Sequence, residues 1–195
     1  ITALQIRDGG LVPADLVLAG IGMLPNAELA TAAGLEVEGG IVVDELSRTS
    51  DPEIVSAGDC TVQRDAATGR LLRLESVPNA LEQARAAASG LCGKPRPNRS
   101  VPWFWSDQYQ LKLQMVGLAA GHDRFVCRGT LSAEGFIAFY LREGVLIAAE
   151  AVNRAPYFML AKRLVAAAVR PDPQRLADAA TPLKDLLPVL PAPAS

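Results

Sequence analysis

A break at Gly93-Lys94-Pro95-Arg96-Pro97-Asn98 constrains the fold of this chain more than any other feature. Two prolines remove backbone donors, a glycine frees the backbone and two basic side chains favour water, so neither a helix interior nor a central strand can run through it. A domain boundary is expected there, and the residue patterns on its two sides differ in kind.

Before the break, residues 1–7 alternate apolar and polar, Asp8-Gly9-Gly10 signals a turn, and Leu11-Val12 resumes the extended pattern, which predicts a hairpin. Residues 16–19 are a continuous apolar run ending at Gly20-Ile21-Gly22, and this predicts a strand buried on both faces of a parallel sheet. Asn26 is placed to cap a helix to about Ala33, ended by Gly34. Strands are expected at 41–43 and 54–57, the second stopping at Gly58-Asp59 after the turn Thr49-Ser50-Asp51-Pro52. Ser76 caps a helix over 77–91, with Pro78 tolerated in its first turn and Leu81, Ala84, Ala88 and Leu91 expected on its buried face.

After the break, residues 111–116, 125–131, 136–141 and 145–152 alternate between turn residues, the pattern of an antiparallel sheet. A helix over 156–168 and a short one near 183–187 follow. The expected fold class is an α/β segment followed by an α+β carboxy-terminal domain with an antiparallel sheet.

With 195 residues, half of them hydrophobic, the chain can bury a sizeable core. At a net charge of -2, no global electrostatic argument favours nucleic acid or an anionic membrane as partner, and neither is expected. Cys60, Cys92 and Cys127 are nowhere spaced as CxxC, which argues against a disulfide framework and a zinc site and fits a reducing, cytoplasmic setting. The longest aliphatic run, 164–169, is far below the roughly 20 residues that a spanning helix needs. Position 1 is Ile inside a predicted strand, so the sequence reads as beginning in mid-protein.

Few residues suggest chemistry by themselves. Gly20-Ile21-Gly22 opens like a dinucleotide fingerprint, but Pro25 occupies the third glycine position and has no amide N–H for a phosphate. A tight turn is the plainer reading, although the glycine pair allows a ligand close to the backbone. Asp59, after Gly58, would put two acceptor oxygens at the sheet edge where polyhydroxylated ligands bind; an Asp there also serves simply as a turn former. The sole histidine, His122, reads as a solvated loop residue, and no metal cluster, P-loop or Ser/His/Asp set is visible.

Residues 49–60 resemble the second flavin motif of the pyridine-nucleotide flavoprotein reductases, in which the Asp of the Gly-Asp pair accepts hydrogen bonds from the ribityl chain of FAD. The resemblance implies that role for Asp59, beside Gly58. Glu75-Ser76-Val77-Pro78-Asn79-Ala80-Leu81-Glu82-Gln83-Ala84-Arg85 is a second match, at the spacing the family shows; its helix amino terminus suits the pyrimidine edge of a flavin, with the Val77 amide as donor. Val101-Pro102-Trp103-Phe104-Trp105-Ser106-Asp107-Gln108-Tyr109 narrows the likeness to the NADH-oxidising ferredoxin reductases of oxygenase systems and implies that Trp105 lies by the flavin.

The resemblance covers essentially the whole chain and weakens in the tail. It implies that residues 1–25 end an NAD-binding domain, 26–98 form the second part of an FAD-binding domain and 99–195 form the carboxy-terminal domain. Gly22 and Glu75 would lie near the nicotinamide, and Arg85 would receive an acidic iron-sulfur ferredoxin. The implied cofactors are FAD and NAD, the implied reaction electron transfer from NADH through FAD to a ferredoxin serving a monooxygenase or dioxygenase, with no general acid or base supplied here. The family's first flavin fingerprint has no counterpart in these residues, so the chain alone is expected to hold an incomplete FAD site and to be inactive. The alternative is a non-catalytic folding or association module whose carboxy-terminal sheet pairs with another copy.

Overall fold

The computed structural model describes residues 1–65, 69–132 and 134–188. Strands β1 (Ala3–Gln5) and β2 (Leu11–Pro13) form the expected hairpin, whose turn is held by Gly9 N–H donating to the Ile6 carbonyl and Gly10 N–H donating to Asp8 Oδ1. The strand expected at 16–19 does not form: the segment is irregular, and Leu16 and Leu18 are almost fully exposed. A parallel strand is held by ladder partners on either side, and the described residues place none beside this run.

Helix α1 (Glu28–Ala32) starts one residue later than Asn26 would set it, with Ala27 at the cap and no side-chain cap bond, and Gly34 follows its end at φ +77°. β3 (Ile41–Val43) pairs in parallel with β4 (Thr61–Arg64), and β5 (Leu71–Leu72) adds to β4 antiparallel. Residues 54–57 are not a strand but contribute a single bridge, Val55 to Arg48. Gly58-Asp59 therefore precedes a strand, β4, instead of ending one.

Helix α2 (Val77–Leu91) begins at the Ser76 cap as expected but buries another face. Pro78, Gln83, Ala86 and Ala87 point inward, while Leu81 and Leu91 are 51% and 70% exposed. Beyond α2, residues 93–102 run without helix or strand to the carboxy-terminal sheet.

That sheet has the strand order β6-β7-β10-β9-β8, all antiparallel: β6 (Trp103–Gln108), β7 (Leu111–Gly117), β8 (Arg124–Arg128), β9 (Phe136–Arg142) and β10 (Val145–Val152). The Trp-Phe-Trp segment is thus its edge strand. One face, with Val116, Val126, Ile137, Phe139, Leu141, Ala149 and Ala151, packs on helix α3 (Ala155–Ala166) through Phe158, Ala161, Leu164 and Val165. At Gly117 the ladder irregularity between Leu146 and Ala148 drives the Ile147 carbonyl into the place a Cβ would take, so only glycine fits.

Helix α4 (Pro173–Ala177) and a 3-10 turn at Leu183–Leu186 close the core with Leu176 and Leu183. They are pinned by Arg128, 4% exposed, whose guanidinium donates to the carbonyls of Leu176, Ala179 and Thr181 at 3.3, 3.2 and 2.5 Å and lies over the Tyr157 ring. Its Nε has no partner among the described residues. Asp178 shapes the same turn, and the Thr181 hydroxyl, then the Ala180 amide, hold its carboxyl below the usual range. Among the described residues no helix is long and apolar enough to cross a membrane.

Candidate functional site

The amino terminus of α2 is the best-organised polar feature before the break. Ser76 is extended at φ -155° and its hydroxyl accepts from the Asn79 amide, while Asn79 Nδ2 donates to the Leu74 carbonyl at 3.0 Å, fixing the approach to the helix. Val77 occupies the first helical position, where the amide has no intrahelical acceptor and the helix dipole adds partial positive charge. The terminus is suited to an electron-rich edge.

The Gly58-Asp59 turn is tied to this helix by a residue that sequence reasoning overlooked. Gly58 N–H donates to Gln83 Oε1 at 2.8 Å, and the Thr61 hydroxyl lies 3.0 Å from the same oxygen. A backbone donor at that distance requires the amide oxygen, not the nitrogen, to face it. Gly58 itself adopts φ +93°. The Asp59 carboxylate has no hydrogen bond or ion pair with the described residues, leaving its oxygens open to a polar ligand. Polar letters on a helix read as solvent-facing, so the only available signal for Gln83 was its place seven residues after the cap, on the same helical face as Ser76.

Glu75 is paired with Arg73, Oε1 to Nε at 2.9 Å, with both side chains about one-third exposed. It lines a cavity of about 400 Å³ between the α2 approach and the sheet face opposite α3, together with Leu74, Phe104, Met115, Leu118 and Glu150. In that sheet face Tyr140 donates to Glu150 Oε2 at 2.8 Å; burial, followed by the Glu150 hydrogen bond and charge, pushes the phenol up to about 12.

Trp103 and Trp105 stack at 5.5 Å between ring centroids, but their surroundings differ. Trp103 packs toward Phe158 and carries Lys162 Nζ 4.3 Å above its ring, whereas Trp105, further along the edge strand, is 39% exposed. Trp103 and Glu75 line the same cavity, so the edge strand and the α2 approach meet. Gly22 lies at φ +100° in the irregular segment between β2 and α1 and makes no hydrogen bond to the other candidate residues. Arg85 projects into solvent, 70% exposed, paired with Glu82 one turn back. His122 is a loop residue, its Nδ1 2.8 Å from the Ala119 carbonyl and its ring edge-on to Tyr140. No group of side chains suited to a metal ion occurs among the described residues.

The chain is matched by known proteins over nearly all of its length. Residues 2–84 match the pyridine nucleotide-disulphide oxidoreductase family and residues 103–187 the reductase C-terminal family, and the chain belongs to the pyridine nucleotide-disulphide oxidoreductases that carry this carboxy-terminal domain. It is 47% identical to putidaredoxin reductase of Pseudomonas putida over 96% of this chain and 44% of that protein, and 44% identical to rhodocoxin reductase of Rhodococcus erythropolis over 91% and 42%. The crystal structure of the covalent putidaredoxin reductase-putidaredoxin complex superposes with a TM-score of 0.88 at 48% identity, covering 95% of this chain and 44% of that one. A ferredoxin reductase from Rhodopseudomonas palustris gives 0.89 at 42%, covering 94% and 46%. The chain therefore spans less than half the length of these relatives.

Proposed function

We propose that this chain forms the flavin-facing and ferredoxin-facing part of a flavoprotein that passes electrons from NADH through FAD to an iron-sulfur ferredoxin serving a monooxygenase or dioxygenase. The observation that carries this reading is the hydrogen bond from the Gly58-Asp59 turn to Gln83 on α2, the helix whose amino terminus carries the free Val77 amide, so that an open carboxylate and a positive helix end belong to one frame. The residues fit the group: Asp59 would accept from the ribityl hydroxyls, and the Val77 amide would donate to the pyrimidine edge. Bound FAD would supply the redox chemistry, taking up hydride equivalents and releasing single electrons.

The chain's own residues bind and orient. Trp105 would lie by the flavin, Gly22 and Glu75 near the nicotinamide, and Arg85 on the surface that meets an acidic ferredoxin. Under this reading residues 1–25 end the NAD-binding domain, 26–98 are the second part of the FAD-binding domain and 99–195 the carboxy-terminal domain. The names of the relatives and the reductase-putidaredoxin complex support a ferredoxin partner. A second reading, an association module, is favoured by the exposed apolar stripe of Val77, Leu81 and Leu91 on α2.

The isolated chain is expected to purify without bound flavin, because only ribityl and isoalloxazine contacts are assigned to it. In the full-length flavoprotein, Asp59→Ala removes a charge-assisted hydrogen bond of about 1.5 to 3 kcal/mol and is expected to weaken FAD binding roughly 10- to 100-fold. Unchanged flavin retention would reduce Asp59 to a turn residue. Stoichiometric FAD and NADH oxidation by the chain alone would overturn the incomplete site.

A further inference from the structure

We propose that Gln83 is the positioning residue of the flavin site, fixing the Gly58-Asp59 turn at a set distance from the α2 amino terminus; this rests on the function proposed above. Gln83 is 1% exposed and sits at the centre of a buried polar knot. Its side-chain oxygen takes the Gly58 N–H at 2.8 Å and lies 3.0 Å from the Thr61 hydroxyl. Its main-chain carbonyl accepts from Ser47 Oγ at 3.0 Å, and the Ser47 carbonyl in turn accepts the Ser56 amide at 2.9 Å. Both ends of the loop from 47 to 58 are therefore hung on one helical residue.

Ser47 shows that the knot is held against a local cost. It is 1% exposed and adopts φ +61°, a left-handed conformation that a non-glycine residue keeps only when its surroundings enforce it. The lever is α2 itself. Gln83 lies six positions after Val77, about 9 Å of helix at 1.5 Å per residue, and a helix transmits that spacing rigidly. With Gly58 hydrogen-bonded to Gln83 and the Val77 amide at the start of the same helix, the position of the Gly58-Asp59 turn relative to the helix terminus is set by one hydrogen bond and the rigid spacing of α2. A side chain of the same length without an acceptor would leave the partly buried Gly58 donor without its partner, and the turn would be loosened.

The discriminating pair is Gln83→Met, which keeps length and loses the acceptor, and Gln83→Glu, which keeps an acceptor oxygen. In this chain, hydrogen exchange at the Gly58 amide is expected to quicken about tenfold in Gln83→Met and to stay near the original rate in Gln83→Glu. In the FAD-loaded full-length flavoprotein, the rate of FAD release on dilution, followed by flavin fluorescence, is expected to rise roughly 5- to 10-fold in Gln83→Met and little in Gln83→Glu. Faster Gly58 exchange with unchanged FAD release, or equal release from both variants, overturns the assignment. Where Gln83→Met does not fold, Ser47→Ala loosens the same knot from its other side and is expected to raise both rates about threefold; no change in either overturns it. Asp59→Ala separates the two levels. If it leaves FAD retention intact, the flavin site itself is misassigned; if it weakens retention while Gln83→Met does not, only the role of Gln83 falls.

Discussion

Residues before and after the break are stabilised by different means. The carboxy-terminal region encloses one continuous core, in which Phe139, Phe158, Leu141, Leu164, Leu176 and Leu183 are all at or below 1% exposure. The amino-terminal region buries mainly small side chains, among them Ala30, Val43, Ala86 and Ala87, while Leu16, Leu18, Leu24 and Leu29 lie almost bare. Its order comes instead from caps, turns and the polar knot at Gln83. One region is thus a self-contained packing unit, and the other is a frame of specific hydrogen bonds that positions the candidate site.

The largest effect expected from this contrast lies in the core. Phe139→Ala should lower stability by about 3 to 5 kcal/mol, measured by denaturant unfolding, because a fully enclosed ring leaves a cavity. Leu81→Ala on the exposed stripe of α2 should change it by no more than about 0.5 kcal/mol. Similar losses in the two variants would break the comparison.

Tyr140 sharpens it, since it brings a partly buried polar pair into the region dominated by packing. Its phenol is raised from 10.0 to about 12, so the protonated form is preferred in the fold. The resulting stabilisation is present below pH 10 and is lost as pH rises toward 12. A phenolate absorbance titration should show a component near 12 that vanishes in Tyr140→Phe and moves toward 10 in Glu150→Gln. A Tyr140 that titrates at 10 would mean that water reaches the pair freely.

The smallest expected effect is at the surface of the amino-terminal region. In the full-length flavoprotein, Arg85→Glu should slow ferredoxin reduction several-fold at low salt while leaving reduction of a small artificial acceptor nearly intact. The difference should fade as the screening length shortens from about 10 Å at 0.1 M salt to 3 Å at 1 M. Equal loss with both acceptors would place Arg85 in the frame of the flavin site instead.

The same division governs what the residues disclosed in advance. Alternation predicted β7, β8, β9 and β10 because each has one face on α3 and one away from it, which is the condition under which period two is written into a strand. The Ser76 cap was legible for a local reason, since its hydroxyl is taken by the amide of Asn79 three residues on. Residues 16–19 and 54–57 were misjudged because an apolar run specifies burial without supplying the strand to pair with. The inward face of α2 was misjudged because it carries a proline, a glutamine and two alanines while the leucines face out, and a glutamine gives no outward sign of being enclosed.

Arg128 grips the last described turns through three carbonyl oxygens and no carboxylate. Every residue type offers the same carbonyl, so the grip reads the path of the backbone and is indifferent to the side chains at 176, 179 and 181 in forming those bonds. The burden of specificity falls on one position and leaves the other three interchangeable so far as the clamp is concerned. The clamp therefore demands one five-donor fork at residue 128, while the demands on the tail's side chains come from the core, through Leu176 and Leu183.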